Sequence, residues 1–317
     1  MPLPNDERVV ALANDLLQMF DKIFGLHPGY RAAHAKGLML TGTFTPTAAA
    51  KSLTNAAHAV RPSTPVTVRF SNSTGLPMLP DSAPEANPRG FAIRFNLGDH
   101  VHTDIVTHST DGFPARDGKE FLEFLQAVAA SGPDVPSPKP VEVFLGSHPA
   151  ALAFVQMPKP HPVSLAKAAY FSVSAFQFTN AEGRTSFGRY RIVPEDGAAF
   201  FNEEEAAALS PTYHYDELAE RVKAGPIRMK ILVQLAAPGD TTDDATIHWP
   251  EDRPILEFGT FTLTELVPDN AKEQKHIIFD PIPRTEGIEP SADPLFELRA
   301  AIYLLSGRRR RAAELEK

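Results

Sequence analysis

The sequence predicts an α+β protein in which an antiparallel sheet or barrel carries several attached helices. Segments with strand composition are numerous, and the helical segments do not alternate with them as they do in parallel-sheet proteins. No stretch has the composition of a linker, so we expect one domain over residues 1–317. The segments expected to form strands are residues 66–71, 91–95, 104–106, 171–178, 186–193, 229–235, 260–266 and 276–279.

The first part of the chain predicts an amphipathic helix. Apolar residues recur at helical spacing from Val9 to Phe20, and His27-Pro28-Gly29 then ends the pattern. A second helix is predicted over residues 119–130 for the same reason. The proline-rich stretch 133–162 that follows it is expected to be a long connection.

Alternation of apolar and polar residues predicts the strands. Residues 66–71 (Val-Thr-Val-Arg-Phe-Ser) and 91–95 (Phe-Ala-Ile-Arg-Phe) have an apolar side chain at every second position, which is typical of half-buried strands. Residues 171–178 and 186–193 flank the turn sequence Asn180-Ala181-Glu182-Gly183. This arrangement predicts a β-hairpin.

The end of the chain predicts a helix with one chemically distinct face. Asp293 followed by Pro294 is typical of a helix N-terminus. Arg299 and Tyr303 are four residues apart and therefore share a face. Eleven residues separate Arg299 from Arg310, about three helical turns, so Arg310 joins this face if the helix is long enough. A tyrosine beside an arginine can be held as a phenolate, which is one of the known axial ligands of haem iron.

Composition and charge exclude several classes of function. A formal net charge of -8 argues against a large nucleic-acid surface. The absence of cysteine excludes disulfides, a thiolate haem ligand, iron–sulfur clusters and a cysteine nucleophile. No apolar stretch is long enough to span a bilayer, and the N-terminus lacks the pattern of a secretory signal. We therefore expect a cytoplasmic protein with neither nucleic-acid nor membrane partners.

Six segments of the chain resemble segments of the haem catalases, in the same order. They are similar to the distal histidine segment, the Arg-Phe-Ser strand with its Pro-Arg-Gly-Phe-Ala continuation, the distal asparagine segment, a hairpin, a further strand region and the proximal helix. The resemblance covers about residues 25–311 and implies a catalase-like antiparallel β-barrel core with surrounding helices. The segments are residues 31–37, 68–71 with 87–95, 104–117, 171–190, 258–280 and 287–310.

The resemblance implies haem b (iron protoporphyrin IX) as the cofactor and a role for each matching residue. Tyr303 matches the axial iron ligand, and Arg299 matches its charge partner. His34 matches the distal acid–base group, and Ser71 matches the serine that fixes the tautomer of its ring. Three matching arginines would hold the haem propionates and two phenylalanines would form aromatic walls, although ordinary core packing is an equal alternative for the phenylalanines. These residues are Arg31, Arg69, Arg310, Phe113 and Phe121.

Three positions on the distal side depart from the catalase pattern. His108, followed by Ser109, stands where catalases have their distal asparagine, and we include it among the catalytic candidates. Pro114 replaces a second wall phenylalanine, and Ala33 replaces the valine before the distal histidine. The chain also begins close to its distal histidine and ends soon after its proximal helix. In these respects it resembles the short catalase-related peroxidases.

The resemblance implies a peroxidase that uses a small-molecule peroxide and an organic electron donor. It would reduce organic peroxides and, less efficiently, hydrogen peroxide through a ferryl intermediate, and it would form a homo-oligomer, a dimer or a tetramer. Two alternatives keep the same site: rearrangement of a fatty-acid hydroperoxide, as in allene oxide synthases, which carry threonine where this chain has Ala33, and haem binding without catalysis. A third alternative is a metal site at His100 and His102, with Asp104 on the same strand face.

Overall fold

In the computed structural model, which describes residues 2–313, ten antiparallel strands form one sheet. Along residues 66–71 and 91–95 the apolar positions are buried, as their alternation predicts. The strands are β1 (Gly37–Pro46), β2 (Thr64–Ser71), β3 (Gly90–Gly98), β4 (Val101–His108), β5 (Tyr170–Phe171), β6 (Phe176–Thr179), β7 (Thr185–Pro194), β8 (Ile227–Leu235), β9 (Ile255–Leu266) and β10 (Ile288–Pro290).

The sheet closes into a barrel. Its strands follow the order β10, β6, β7, β5, β4, β3, β2, β1, β9 and β8, and β8 pairs back to β7. Eight strands therefore form a closed ring, and β6 and β10 extend the sheet outward from β7. The hairpin predicted around residues 180–183 is formed by β6 and β7. The antiparallel barrel with attached helices that the sequence predicts is confirmed.

Helices surround the barrel, and none of those described is both long and apolar enough to cross a membrane. The helices are α1 (Glu7–Phe24), α2 (Ala48–Leu53), α3 (Ala57–Val60), α4 (Gly118–Ala129), α5 (Pro140–Ser147), α6 (Pro149–Gln156), α7 (Glu203–Ala207), α8 (Tyr213–Ala224), α9 (Asn270–His276) and α10 (Leu295–Ala312). Leu16 of α1, Leu125 of α4 and Leu298 of α10 belong to one buried apolar cluster. This packing fixes α10 at the side of the barrel.

The helix α10 begins where the local chemistry predicts. The carboxylate of Asp293 accepts a hydrogen bond from the backbone N–H of Leu295 at 2.9 Å, which satisfies one of the free donors of the first turn. The helix then continues without interruption to Ala312. Arg310 therefore lies on the same helix as Tyr303, as its spacing predicts.

Three expectations about secondary structure are wrong. Residues 276–279 are not a strand, because α9 ends at His276 and the carbonyl oxygen of Ile277 accepts hydrogen bonds from arginine side chains instead of a neighbouring strand. The stretch 171–178 is divided into β5 and β6. The stretch 133–162 contains α5 and α6, each with a proline in its first turn, where the missing N–H costs little.

The barrel interior is packed with aromatic rings around one histidine. His58 of α3 is 1% exposed, and its ring stacks on Phe95 with 4.3 Å between ring centroids. Phe44 and Phe258 pack against the same ring. Neither ring nitrogen of His58 has a hydrogen-bond partner within residues 2–313, and burial lowers its pKa to about 3. The barrel interior is therefore a core, and the functional cavity lies elsewhere.

Candidate active site

A cavity of about 200 Å³ lies between the barrel and α10. Its lining comes from the ends of β2, β3 and β4, from the loop 277–279 and from one face of α10. It also includes residues of the stretch 31–36, which precedes β1 and which we call the histidine segment. Elements distant in the sequence therefore converge on one internal space.

The helix α10 presents a phenol beside a cation. Arg299 and Tyr303 both line the cavity, and Nη2 of Arg299 donates to the phenol oxygen of Tyr303 at 3.4 Å. The guanidinium carbon lies 5.7 Å from the centre of the tyrosine ring. The phenol oxygen and a positively charged group therefore lie side by side in the cavity.

The opposite part of the lining holds an imidazole in a constrained position. His34 has a backbone φ of 57°, a left-handed conformation that costs a residue with a side chain about 1–3 kcal/mol. Its Nδ1 lies 3.0 Å from the hydroxyl oxygen of Ser71 at the end of β2. A Cβ atom on Gly90 would lie 2.5 Å from that oxygen and 2.8 Å from Nδ1. Glycine at position 90 therefore leaves room for the histidine–serine pair.

Two imidazoles face the cavity in their neutral form. Burial, assisted by the positive charge of Arg69 and by His108, lowers the pKa of His34 to about 3. Burial and the charge of Arg299 lower the pKa of His108 to about 3. The Nδ1 atom of His108 is buried and has no hydrogen-bond partner among the residues that the structure describes. Near neutral pH each ring keeps an unprotonated nitrogen that can accept a proton.

Three arginine side chains reach the cavity without a carboxylate partner. Arg31 and Arg310 donate to the carbonyl oxygen of Ile277, at 3.1 and 2.6 Å. Arg69 donates to the side-chain oxygen of Gln274 at 2.8 Å. None of the three arginines forms a salt bridge with an aspartate or glutamate within residues 2–313. Their hydrogen bonds therefore go to neutral oxygens only, and their charges are not neutralised.

The three guanidinium groups also repel one another. Burial lowers the pKa of Arg69 to about 10, and burial together with the charge of Arg69 does the same to the pKa of Arg310. The pKa of Arg31 falls well below its usual value for the same two reasons, burial first and the other two arginines second. Carboxylates placed beside the three guanidinium groups would offset both the burial of their charges and their mutual repulsion.

The residues of the cavity fit haem. The two propionates would supply the carboxylates that the arginines lack, and Tyr303 beside Arg299 would offer an oxygen ligand suited to ferric iron. Apolar and aromatic side chains form much of the remaining lining, as a porphyrin ring requires: Phe20, Phe113, Phe171, Val173, Leu295 and Ile302. Together the barrel and the cavity match a class of protein, the haem-dependent oxidoreductases.

Comparison with known proteins identifies the family within this class. The catalase family model matches residues 20–317. The "Catalase-related peroxidase" of Synechococcus elongatus is 32% identical over 92% of this chain and 87% of its own length, and that of Mycolicibacterium paratuberculosis is 34% identical over 89% of both. The chain belongs to the catalase family, and it is a peroxide-acting oxidoreductase of that family.

Solved structures show the same fold at lower identity. A fungal catalase superposes with a TM-score of 0.78 at 24% identity, over 89% of this chain and 59% of that one. Catalase A from Saccharomyces cerevisiae gives a TM-score of 0.77 at 22% identity, over 89% of this chain and 61% of that one. The catalase-like barrel expected from the sequence is confirmed.

Most of the sequence-predicted site residues meet in the cavity. Its lining includes nine of the ten predicted residues, and the tenth, Phe121, lies behind Phe113 with 5.1 Å between their ring centroids. Phe121 therefore supports the lining without being part of it. The nine are Arg31, His34, Ser71, Arg69, His108, Phe113, Arg299, Tyr303 and Arg310.

The alternative metal site is not assembled. His100 lies in the turn before β4 with a φ of 56°, and its side chain is 95% exposed. The Nδ1 atom of His102 lies 3.2 Å from Asp104, and Arg94 binds that carboxylate through two nitrogens. The two histidines do not share a strand face, and the acidic residue already has partners.

Sequence reasoning missed several residues of the lining. Ser306 could have been found, because it lies seven residues after Arg299 on the same helical face. Phe20 was recognised only as a core residue of the first helix, and the loop 277–279 was expected to be a strand. Nothing local in the sequence distinguishes Phe20 and the loop 277–279 from ordinary core, because their position depends on contacts between distant parts of the chain.

Proposed function

We propose that the chain is a haem-dependent peroxidase that reduces organic peroxides and, less efficiently, hydrogen peroxide. One observation carries the proposal: the phenol of Tyr303 beside Arg299 and the neutral imidazole of His34 face the same cavity, which also holds arginines without carboxylate partners. The similarity to the two catalase-related peroxidases supports it. An organic electron donor, a homo-oligomer and a cytoplasmic location are parts of the same proposal.

The residues that would hold the cofactor, haem b, divide by chemistry. Tyr303 would provide the oxygen for the iron, and Arg299 donates a hydrogen bond to that oxygen. Arg31, Arg69 and Arg310 bind the propionates through charge-assisted hydrogen bonds. Haem bound in this way supplies the redox chemistry, while the chain supplies orientation and proton transfer.

His34 is the proposed proton-transfer group. If its Nδ1–H donates to the hydroxyl oxygen of Ser71, the other ring nitrogen, Nε2, carries the free lone pair. That nitrogen takes the proton from one peroxide oxygen and gives it to the other as the O–O bond breaks. The organic donor provides two electrons and two protons, so that one peroxide yields one alcohol and one water.

His108 is the proposed second contact for the peroxide. Its Nδ1 atom is buried without a partner in the part of the chain that the structure describes, and its ring faces the cavity. In a neutral imidazole, the nitrogen that carries the proton can donate one hydrogen bond to a peroxide oxygen. The same nitrogen cannot also accept a hydrogen bond. The apolar side chains of Phe113 and Val173, which line the same cavity, suit the alkyl part of an organic peroxide.

The experiment that tests the proposal compares haem-loaded wild type with His34→Ala. We expect the variant to keep its haem and its absorption spectrum, while kcat/KM for an alkyl hydroperoxide falls about 10²- to 10⁴-fold, the usual contribution of general acid–base catalysis. The exposed His100→Ala is the matched control. Full turnover in His34→Ala would refute the assignment. With a fatty-acid hydroperoxide, a rearranged product instead of the alcohol would favour the alternative reaction.

A further inference from the structure

A network of buried and half-buried polar side chains joins the histidine segment to the helix α8. We call it the polar cluster, and none of its members lines the cavity. Each member is hydrogen-bonded to at least one other through its side chain. The polar cluster consists of Lys36, Asn72, Asp81, Arg89 and Tyr215.

Asn72 is the centre of the polar cluster. Its side-chain nitrogen donates to Asp81 at 2.9 Å, and its side-chain oxygen accepts from Arg89 at 2.5 Å. The hydroxyl of Tyr215 lies 3.0 Å from that same oxygen and 3.1 Å from the carbonyl oxygen of Lys36. The hydroxyl proton of Tyr215 can be donated to either oxygen. Tyr215 therefore links Asn72, which follows Ser71, to Lys36, which lies two residues after His34.

A buried charge pair ties the polar cluster to the start of α8. Asp81 is fully buried, and its Oδ1 accepts from the ammonium group of Lys36 at 2.7 Å. Its Oδ2 accepts from the backbone N–H of His214, in the first turn of α8, at 3.0 Å. A carboxylate at a helix N-terminus interacts favourably with the helix dipole. Removing the ammonium group of Lys36 would leave the buried carboxylate of Asp81 without its salt-bridge partner.

The backbone explains why His34 needs this support. Its left-handed conformation is unfavourable for a residue with a side chain, so surrounding contacts must hold it. The N–H groups of His34 and Ala35 donate to the carbonyl oxygens of Ser73 and Thr74 at 2.8 and 2.9 Å. The N–H of Asn72 donates back to Lys36 at 3.1 Å. The polar cluster thus holds both sides of the short ladder on which His34 and Ser71 face each other.

We infer that the polar cluster positions His34 and Ser71 for proton transfer, and that Tyr215 is the positioning residue that connects them to α8. This inference rests on the proposed function and deepens it. Tyr215 touches neither the cavity nor the reacting groups, so its effect must pass through the backbone of residues 34–36 and 72–74. A change at Tyr215 should therefore alter how rigidly these backbone segments are held, as well as the rate of turnover.

The test compares Tyr215→Phe with Tyr213→Phe in the full-length, haem-loaded protein. Tyr213 lies on the same helix, and its hydroxyl donates to the carbonyl of Val163 at 3.2 Å, away from the histidine segment. Both variants lose one hydroxyl and one hydrogen bond to a backbone oxygen. In Tyr215→Phe alone we expect amide exchange of His34, Ala35 and Asn72 to become about five- to tenfold faster, the value of one hydrogen bond.

Turnover provides the second measurement. We expect kcat/KM for an alkyl hydroperoxide to fall about tenfold in Tyr215→Phe with an unchanged haem spectrum, and the acid limb of its pH profile to move to higher pH as the imidazole gains access to water. Tyr213→Phe should match the wild type. Equal exchange and equal pH profiles in the two variants would overturn the inference. A wild type without peroxide turnover would instead refute the proposed function.

A measurement on the wild type keeps the inference testable if Tyr215→Phe fails to fold. Amide exchange is followed at rising denaturant concentration, still below the global transition. The amides of His34, Ala35 and Asn72 should open together with those at the start of α8, with the same free energy. Opening of α8 while the histidine segment keeps its full protection would contradict the inference.

Discussion

The guanidinium Nη2 of Arg299 lies 3.4 Å from the phenol oxygen of Tyr303, one helical turn later on α10. The contact is at the long end of the range for a hydrogen bond, and Arg299 forms no salt bridge within residues 2–313. The arginine therefore contacts the phenol only loosely. It leaves the phenol oxygen free to bind a metal in the cavity.

Replacing the phenol should remove the iron ligand. We expect Tyr303→Phe to lose haem, or to bind it without the high-spin ferric spectrum, because phenylalanine has no oxygen to donate. Titration with haem, followed by absorption, measures both outcomes. Tyr30→Phe, with its side chain 47% exposed at the surface, is the control. An unchanged spectrum in Tyr303→Phe would show that another residue binds the iron.

Filling the space beside the histidine–serine pair should disturb proton transfer without preventing haem binding. In Gly90→Ala the new Cβ would lie 2.5 Å from the Ser71 hydroxyl and 2.8 Å from His34 Nδ1, so the pair must move. We expect kcat/KM to fall about tenfold to a hundredfold. Gly98→Ala is a matched control in the same strand, because its nearest neighbour would lie 3.8 Å away. Equal activity in both variants would contradict the prediction.

Removing one cavity arginine should have opposite effects on the protein without and with haem. In Arg31→Met the repulsion within the arginine group decreases, so the melting temperature of the haem-free protein should rise. Its haem affinity should fall about tenfold to a hundredfold, the value of a charge-assisted hydrogen bond. Thermal melting and haem titration measure the two effects. Arg116→Met, whose side chain is 59% exposed, should change neither.

His58 should make the fold sensitive to acid. Its pKa is about 3 in the folded state and about 6.5 in the unfolded chain, so only the unfolded chain gains a proton as the pH falls below 6.5. Stability is therefore lost from pH 6.5 downward until the pH reaches about 3. We compare the free energy of unfolding of His58→Leu with that of the wild type at each pH. The difference should favour the variant by about 2 kcal/mol more at pH 5 than at pH 7.5.

Denaturant unfolding at the two pH values measures this difference. The control is His100→Asn, at a position where the side chain is 95% exposed. We expect the control to leave the pH dependence of unfolding unchanged. Parallel unfolding curves for wild type and His58→Leu across the two pH values would show that His58 is not the acid-sensitive group.

His108 should influence which peroxide the protein uses. In catalases an asparagine stands at the matching position, so His108→Asn should increase oxygen release from hydrogen peroxide relative to reduction of an alkyl hydroperoxide. We expect a change in this ratio of about tenfold, the value of about 1.4 kcal/mol in transition-state energy. Oxygen-electrode rates and peroxidase rates on the same sample give the ratio. An unchanged ratio would remove His108 from the catalytic candidates.

Local patterns predicted the proximal part of the site, whereas the distal part required long-range information. Arg299, Tyr303 and Arg310 share one helical face, and the helical period is readable in any sequence. His34 and Ser71 are 37 residues apart, and they meet because β1 pairs with β2 in a register that places Gly37 opposite Ser71. Their partnership was predicted only through resemblance to a family.

Other features had no local signal at all. The loop 277–279 looks like a strand by composition, but the backbone oxygen of Ile277 accepts hydrogen bonds from Arg31 and Arg310 of the cavity. Tyr215 lies in an ordinary amphipathic helix, and its hydroxyl reaches a residue 179 positions earlier. Hydrogen bonds between distant segments depend on the whole topology, so periodicity and propensity cannot reveal them.

The arginine group also has a consequence for the life of the protein in a cell. A chain that has not yet taken up haem keeps three repelling charges in its interior, whereas haem binding adds its own free energy to folding. Newly made chains should therefore open more often and meet proteases more often than loaded ones. We expect the steady-state amount of this protein to follow the supply of haem, so that degradation clears chains that cannot work.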